Sequence, residues 1–159
     1  MASFREFIGS TSYREAQAWV FVVVNMIVMI VYGQEVFAGN GLIDGESLPA
    51  IAGLIIVGVC TTFFTILLIV PTAIIFNRTA NEAADERDKR LHTEGAALAF
   101  WTAFVLASLS LIAYVFHASG DILFHSVLMT ILLAQFVYAF ATGVKYRRSG
   151  APMFQKAQS

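Results

Sequence analysis

Four long apolar stretches leave this chain few ways to fold. They run over residues 18–36, 50–76, 96–116 and 122–144. Each is long enough to cross a bilayer core of about 30 Å, which takes about 20 mostly apolar residues in helical form. No water reaches the backbone there, so each stretch must satisfy its own N–H and C=O groups, and a helix does so within one segment. Their wealth of Val, Ile and Phe, weaker helix formers in water, therefore matters little. Composition agrees: 58% of the 159 residues are hydrophobic and 13% charged, against about 45–50% and about 25% in soluble domains. The predicted fold is all-α, a single transmembrane domain over 1–159 built as a four-helix bundle from two helical hairpins.

Basic residues orient it. All ten Lys and Arg lie before the first stretch, between the second and third, or after the fourth, and the loops 37–49 and 117–121 hold none. The positive-inside rule then places both termini and the segment near 77–95 in the cytoplasm. Arg5 and Arg14 ahead of an apolar run resemble a signal peptide, but the run exceeds a 7–15-residue signal core and no small-x-small site follows it. It reads as a retained span. Trp19 and Trp101 fall near cytoplasmic span ends, where indole rings favour the interface. Phe4, Phe7, Ile8 and Thr11 have the spacing of a short surface helix. A net charge of −1 gives no basis for nucleic-acid binding. One cysteine, Cys60, excludes an internal disulfide and a cysteine-built metal centre, and reads as a small buried apolar residue.

Lipid gives no hydrophobic reward for helix contact, so small residues that let backbones approach mark interfaces. Ala99, Ala103 and Ala107 recur every four residues, and Gly53 and Gly58 sit in the second stretch. They serve packing within the chain or a homodimer seam. Pro71 should kink the second helix near Leu67, with Thr72 and Thr65 placed to satisfy the freed carbonyl. Asn25 and Gln135, the most central polar residues of the first and fourth stretches, are expected to hydrogen-bond between helices. No carboxylate sits mid-membrane and Glu35 lies at the outer end, which counts against a proton-coupled transporter. A transporter or channel would need a polar path past Asn25, Thr61, Thr65 and Gln135. At the outer face His117, Asp121 and His125 recur every four residues around the turn "HASGD". Two imidazoles and a carboxylate, with Glu35 nearby, suit Zn²⁺ or a similar divalent metal. The competing reading is polar caps on helix ends.

The segment 81–95, "NEAADERDKRLHTEG", packs five acids and three bases between apolar runs. Thr79 and Glu82 match a capping box that would start a new helix. Asp85 with Lys89, and Glu86 with Arg90, are i, i+4 pairs with the acid N-terminal, the better orientation. The predicted helix covers about 80–94 and runs into the third span, with a bend at Gly95. Glu82, Asp85, Glu86, Asp88 and His92 are also candidate cation ligands, but their spacing matches no recognised site. The competing readings are a self-paired solvated helix and a docking surface.

Within it, "EAADERDKRL" (82–91) resembles the A-D-E-R-D-x-x-[IL] signature of small four-span bacterial membrane proteins without an assigned activity. "QAWV" (17–20) and "YRRSG" (146–150) resemble the opening of their first span and the close of their fourth. The resemblance implies a bacterial inner-membrane protein and marks Asp85, Glu86, Arg87 and Asp88 as its shared core. The functional expectation is a non-enzymatic accessory or interaction protein that needs no cofactor. Those four residues would be its docking or self-association surface, toward a cytoplasmic or membrane partner or a second copy in a homodimer. The alternatives are an oligomeric transporter or channel, and a metal- or cofactor-binding membrane protein using the His117/Asp121/His125 group.

Overall fold

The computed structural model describes residues 12–37, 50–76, 86–117 and 120–156. They form four helices: α1 (Tyr13–Phe37), α2 (Ala50–Ile75), α3 (Glu86–His117) and α4 (Gly120–Lys156). The described residues contain no strand. Each helix is long and apolar enough to cross a membrane, so the chain has the architecture of a multi-pass membrane protein. The N-terminal segment through Thr11 and the capping box at Thr79 lie outside the described residues.

The helices overrun the apolar stretches, and the overrun matters. α1 starts at Tyr13 because Ser12 caps it: the Ser12 hydroxyl accepts from the Glu15 backbone N–H at 3.2 Å. Ser12 and Glu15 have capping-box spacing, a signal as readable as the one at Thr79. α3 has 32 residues and α4 has 37, about 48 and 55 Å. The excess of α3 lies at its start and that of α4 at its end. Because the two run antiparallel, both extensions reach the same end of the molecule. α3 passes through Gly95 without a break in its helix.

The four helices form a layer rather than a closed ring. α4 packs along both α3 and α1, α1 also packs on α2, and α2 touches α4 lightly. The order across the layer is α2–α1–α4–α3. The core is the stripe Val24, Val28, Tyr32 and Val36 of α1, at four-residue spacing, against Leu128 and Leu132 of α4. Val57, Phe64, Leu68 and the half-buried Cys60 close it from α2. Edge helices stay exposed: none of the apolar window 57–75 of α2 is buried, and Phe100, Trp101 and Phe104 stack on the outside of α3.

Two glycines outside the small residues expected at interfaces set the approaches to α4. A Cβ on Gly95 would press into the Thr142 hydroxyl, and one on Gly143 would lie 3.2 Å from the Trp19 ring. Trp19 therefore packs on α4, edge-on to Phe140 at 5.9 Å, besides lying near a span end. Gly58 faces open space. Pro71 lies inside α2, but neither threonine takes the carbonyl it frees. Thr72 donates to Leu68 O at 2.7 Å, and the buried Thr65 hydroxyl has no partner. Asn25 also differs from expectation: its amide donates to Phe21 O of its own helix at 2.8 Å, and its carbonyl oxygen is buried without a partner.

Candidate functional site

The overrunning ends of α3 and α4 meet the start of α1. On a helix, positions 88 and 92, and 87, 91 and 95, share a side. Leu91 and Gly95 are buried and Arg87, Asp88 and His92 half-buried, while Glu86, Lys89 and Arg90 are exposed. The inward side carries a polar network. Arg14 Nε of α1 lies 3.0 Å from Asp88 Oδ2, and the Tyr146 hydroxyl donates to Asp88 Oδ1 at 2.9 Å. His92 Nδ1 lies 2.6 Å from the Tyr138 hydroxyl, and His92 Nε2 lies 3.4 Å from that of Tyr146.

Proton counting orders this chain. Tyr146 spends its proton on the carboxylate, the stronger acceptor, so its oxygen accepts from His92 Nε2–H. Nδ1 is then the acceptor of the neutral ring, and Tyr138 donates to it. One carboxylate thus orients two tyrosines and a histidine across two helices and neutralises an arginine on a third. Two further ties join α3 to α4. Arg87 Nη2 donates to Ser149 Oγ at 2.5 Å, and Lys145 Nζ donates to Glu94 Oε2 at 2.7 Å.

Glu94 precedes the apolar stretch that begins at 96. The hydrogen bond from Lys145, then that from Arg90, holds its carboxyl below the usual glutamate value. A lowered folded-state pKa means stability present above the ordinary value and lost as pH falls through the lowered one. Glu94→Gln should therefore flatten a small acid-side dependence of thermal unfolding, read between neutral pH and pH about 3, below the usual glutamate value.

The four residues of the family-like core thus do different jobs. Asp85 lies outside the described residues. Arg87 and Asp88 turn inward, and Glu86 alone of the remaining three is exposed. Arg90 pairs with Glu94 at 2.9 Å instead of with Glu86. Of the residues that complete the network, Tyr146 opens the "YRRSG" piece, whereas Arg14 and Tyr138 belong to no sequence motif. Beneath the network, Arg14, Gln17, His92, Tyr138 and Thr142 line a cavity of about 140 Å³. The Thr142 hydroxyl is buried there without a partner.

The opposite end does not gather the expected metal ligands. His117 and Asp121 are exposed at the facing ends of α3 and α4, while His125 is buried. His125 Nδ1 lies 2.5 Å from the Tyr32 hydroxyl of α1. Gly120 starts a new helix, so the four-residue spacing does not continue on one face. The side chain of Glu35 lies outside the described residues. No group of three His, Cys, Asp or Glu residues able to hold a metal occurs among the described residues. Asn25 is buried and Gln135 exposed, so they do not share one path. The chain matches no protein-family model, no curated protein and no solved structure.

Proposed function

We propose that the chain is a non-enzymatic accessory protein of the bacterial inner membrane that works as a self-associating unit, with both termini in the cytoplasm. The observation that carries this reading is Gln135. It sits mid-way along the apolar part of α4 on the exposed side, in line with Val127 and Ile131, which are 37% and 47% exposed. An amide facing hydrocarbon without a partner costs several kcal/mol, on the order of a lost hydrogen bond in an apolar medium. A second copy of α4 related by a two-fold axis would supply the missing donor and acceptor, and the amide would fix the register of the pair. Orientation is supported by the ten basic residues, and bacterial origin by the resemblance of residues 82–91.

The charged end complements this assembly. Arg87 and Asp88 are spent on holding α3, α1 and α4 together, so the partner-facing side chains are Glu86, Lys89, Arg90, Arg147 and Arg148, all exposed. Among the described residues that surface is basic on balance, which suits an acidic cytoplasmic partner. Crosslinking and photobleaching counts in liposomes at graded protein-to-lipid ratios test the core of the reading. Wild type should pair, and Gln135→Leu should weaken pairing by at least about 10-fold, from about 0.6–2 kcal/mol for each of two interhelical hydrogen bonds. A wild-type protein that stays monomeric at every ratio sinks the reading.

A further inference from the structure

At the end away from the charged network, a cavity of about 410 Å³ opens between α3, α4 and the last turn of α1. Its volume falls in the range of small-molecule sites, about 300–1,000 Å³. Leu106, Leu109, Ala113, Met129 and Leu133 make its walls largely apolar. Along α4 it extends over residues 122–133, about 16 Å. It is therefore long and narrow.

Its polar lining residues are His125, Ser110, Ser126 and Thr130. Tyr32 is fully buried, and its hydroxyl meets His125 Nδ1. If Nδ1 carried the proton, the phenol proton would be left without an acceptor in a site that water does not reach. The phenol therefore donates, Nδ1 accepts, and the proton of the neutral ring sits on Nε2. No protein acceptor meets that N–H among the described residues. The hydroxyls that share the cavity are committed to their own helices: Ser110 donates to Leu106 O, Ser126 to Leu123 O and Thr130 to Ser126 O. An apolar slot with one uncommitted N–H donor calls for a hydrocarbon chain that carries a carbonyl oxygen near one end.

Position selects among such molecules. His125 lies three residues inside the apolar stretch that begins at 122, about 4.5 Å along the helix. That is the level where hydrocarbon gives way to the polar interface and where the ester groups of glycerolipids lie. The slot continues from there toward the middle of the membrane, and one of its lining residues, Leu109, is more than half exposed. We propose that the cavity is a lipid site: it takes one acyl chain of a membrane phospholipid, whose ester carbonyl accepts from His125 Nε2–H. This site is independent of the pairing proposed through Gln135.

The test compares a diester phospholipid with the diether of the same headgroup and chain length, which lacks only the carbonyls. Each is added to delipidated protein in mild detergent, and bound lipid is counted by native mass spectrometry. Wild type should retain the diester about 2- to 10-fold over the diether, the net worth of one uncharged hydrogen bond. Removing His125 alone strands the Tyr32 hydroxyl, so the control is the double variant Tyr32→Phe/His125→Phe, which replaces both partners by apolar groups of similar shape. It should bind both lipids equally. Ala113→Phe, which fills the slot, should lose both. Equal retention of diester and diether by wild type overturns the proposal, as does a prenylated quinone as the molecule that co-purifies with the protein and blocks lipid uptake. An undiminished preference in the double variant also overturns it.

Discussion

Asp88→Ala should be the most destabilising single substitution at the charged end, costing about 2–3 kcal/mol. The carboxylate meets Arg14 of α1 and Tyr146 of α4 directly, and through Tyr146 it reaches His92. Exposed ion pairs contribute about 0–1 kcal/mol, whereas removing one partner of a buried pair costs about 3–5 kcal/mol. The Arg14 and Asp88 side chains are 25% and 15% exposed, which puts this pair between the two. Asp88→Asn separates the contributions. It keeps an oxygen for the Tyr146 hydroxyl but removes the charge that faces Arg14, so it should cost about half as much as the alanine. Arg14→Met in the Asp88→Ala background should recover part of the loss, because it removes the half-buried cation that Asp88 had faced. Thermal unfolding in detergent, followed by circular dichroism, reads all four proteins. If Asp88→Ala unfolds within a degree or two of wild type, the network does not hold the three helices together.

How much of this was legible beforehand depends on the kind of residue. The spans were plain because a run such as 50–76 has no soluble alternative. The order α2–α1–α4–α3 was not, because in a membrane helix the buried and lipid-facing sides are equally apolar and no periodic stripe separates them. Asp88 and Arg87 were recognisable as parts of a charged helix. Which way they turn depended on Tyr146 and Ser149, some 60 residues away, so local pairing rules favoured the solvated reading. Those rules also chose Glu86 for Arg90, where the structure uses Glu94. His117, Asp121 and His125 share a four-residue spacing only across the helix break that Gly120 signals, so spacing alone does not put them on one face. Gln135 reads from the sequence as a central residue that bonds between helices, but the packing of α4 puts it on the exposed side rather than between helices of one chain.

Gly95 carries the clearest test of how α3 meets α4, because two effects of opposite sign compete there. A glycine in a helix is about 0.8–1 kcal/mol worse than alanine, so Gly95→Ala gains that much if nothing else changes. Something does change: the new Cβ presses into the Thr142 hydroxyl, and Tyr138 is already at van der Waals distance, with ring and backbone atoms at 3.4 and 3.5 Å. Overpacking of this kind costs about 1–3 kcal/mol, so in the wild-type background the substitution should destabilise by about 1 kcal/mol. Thr142→Ala removes the obstructing atom. It also removes a hydroxyl that is buried and unpartnered, so its own cost should be small. In that background Gly95→Ala meets only ordinary contacts, the helix-propensity gain survives, and the sign should reverse to a stabilisation of up to about 1 kcal/mol. The coupling between the two sites, about 2 kcal/mol, is large against the few tenths expected for independent positions. Gly95→Leu should destabilise in both backgrounds, because a larger side chain reaches the Tyr138 backbone that Thr142→Ala leaves in place. A Gly95→Ala effect of the same sign and size in both backgrounds would mean that the close approach at Gly95 does not set the spacing of α3 and α4.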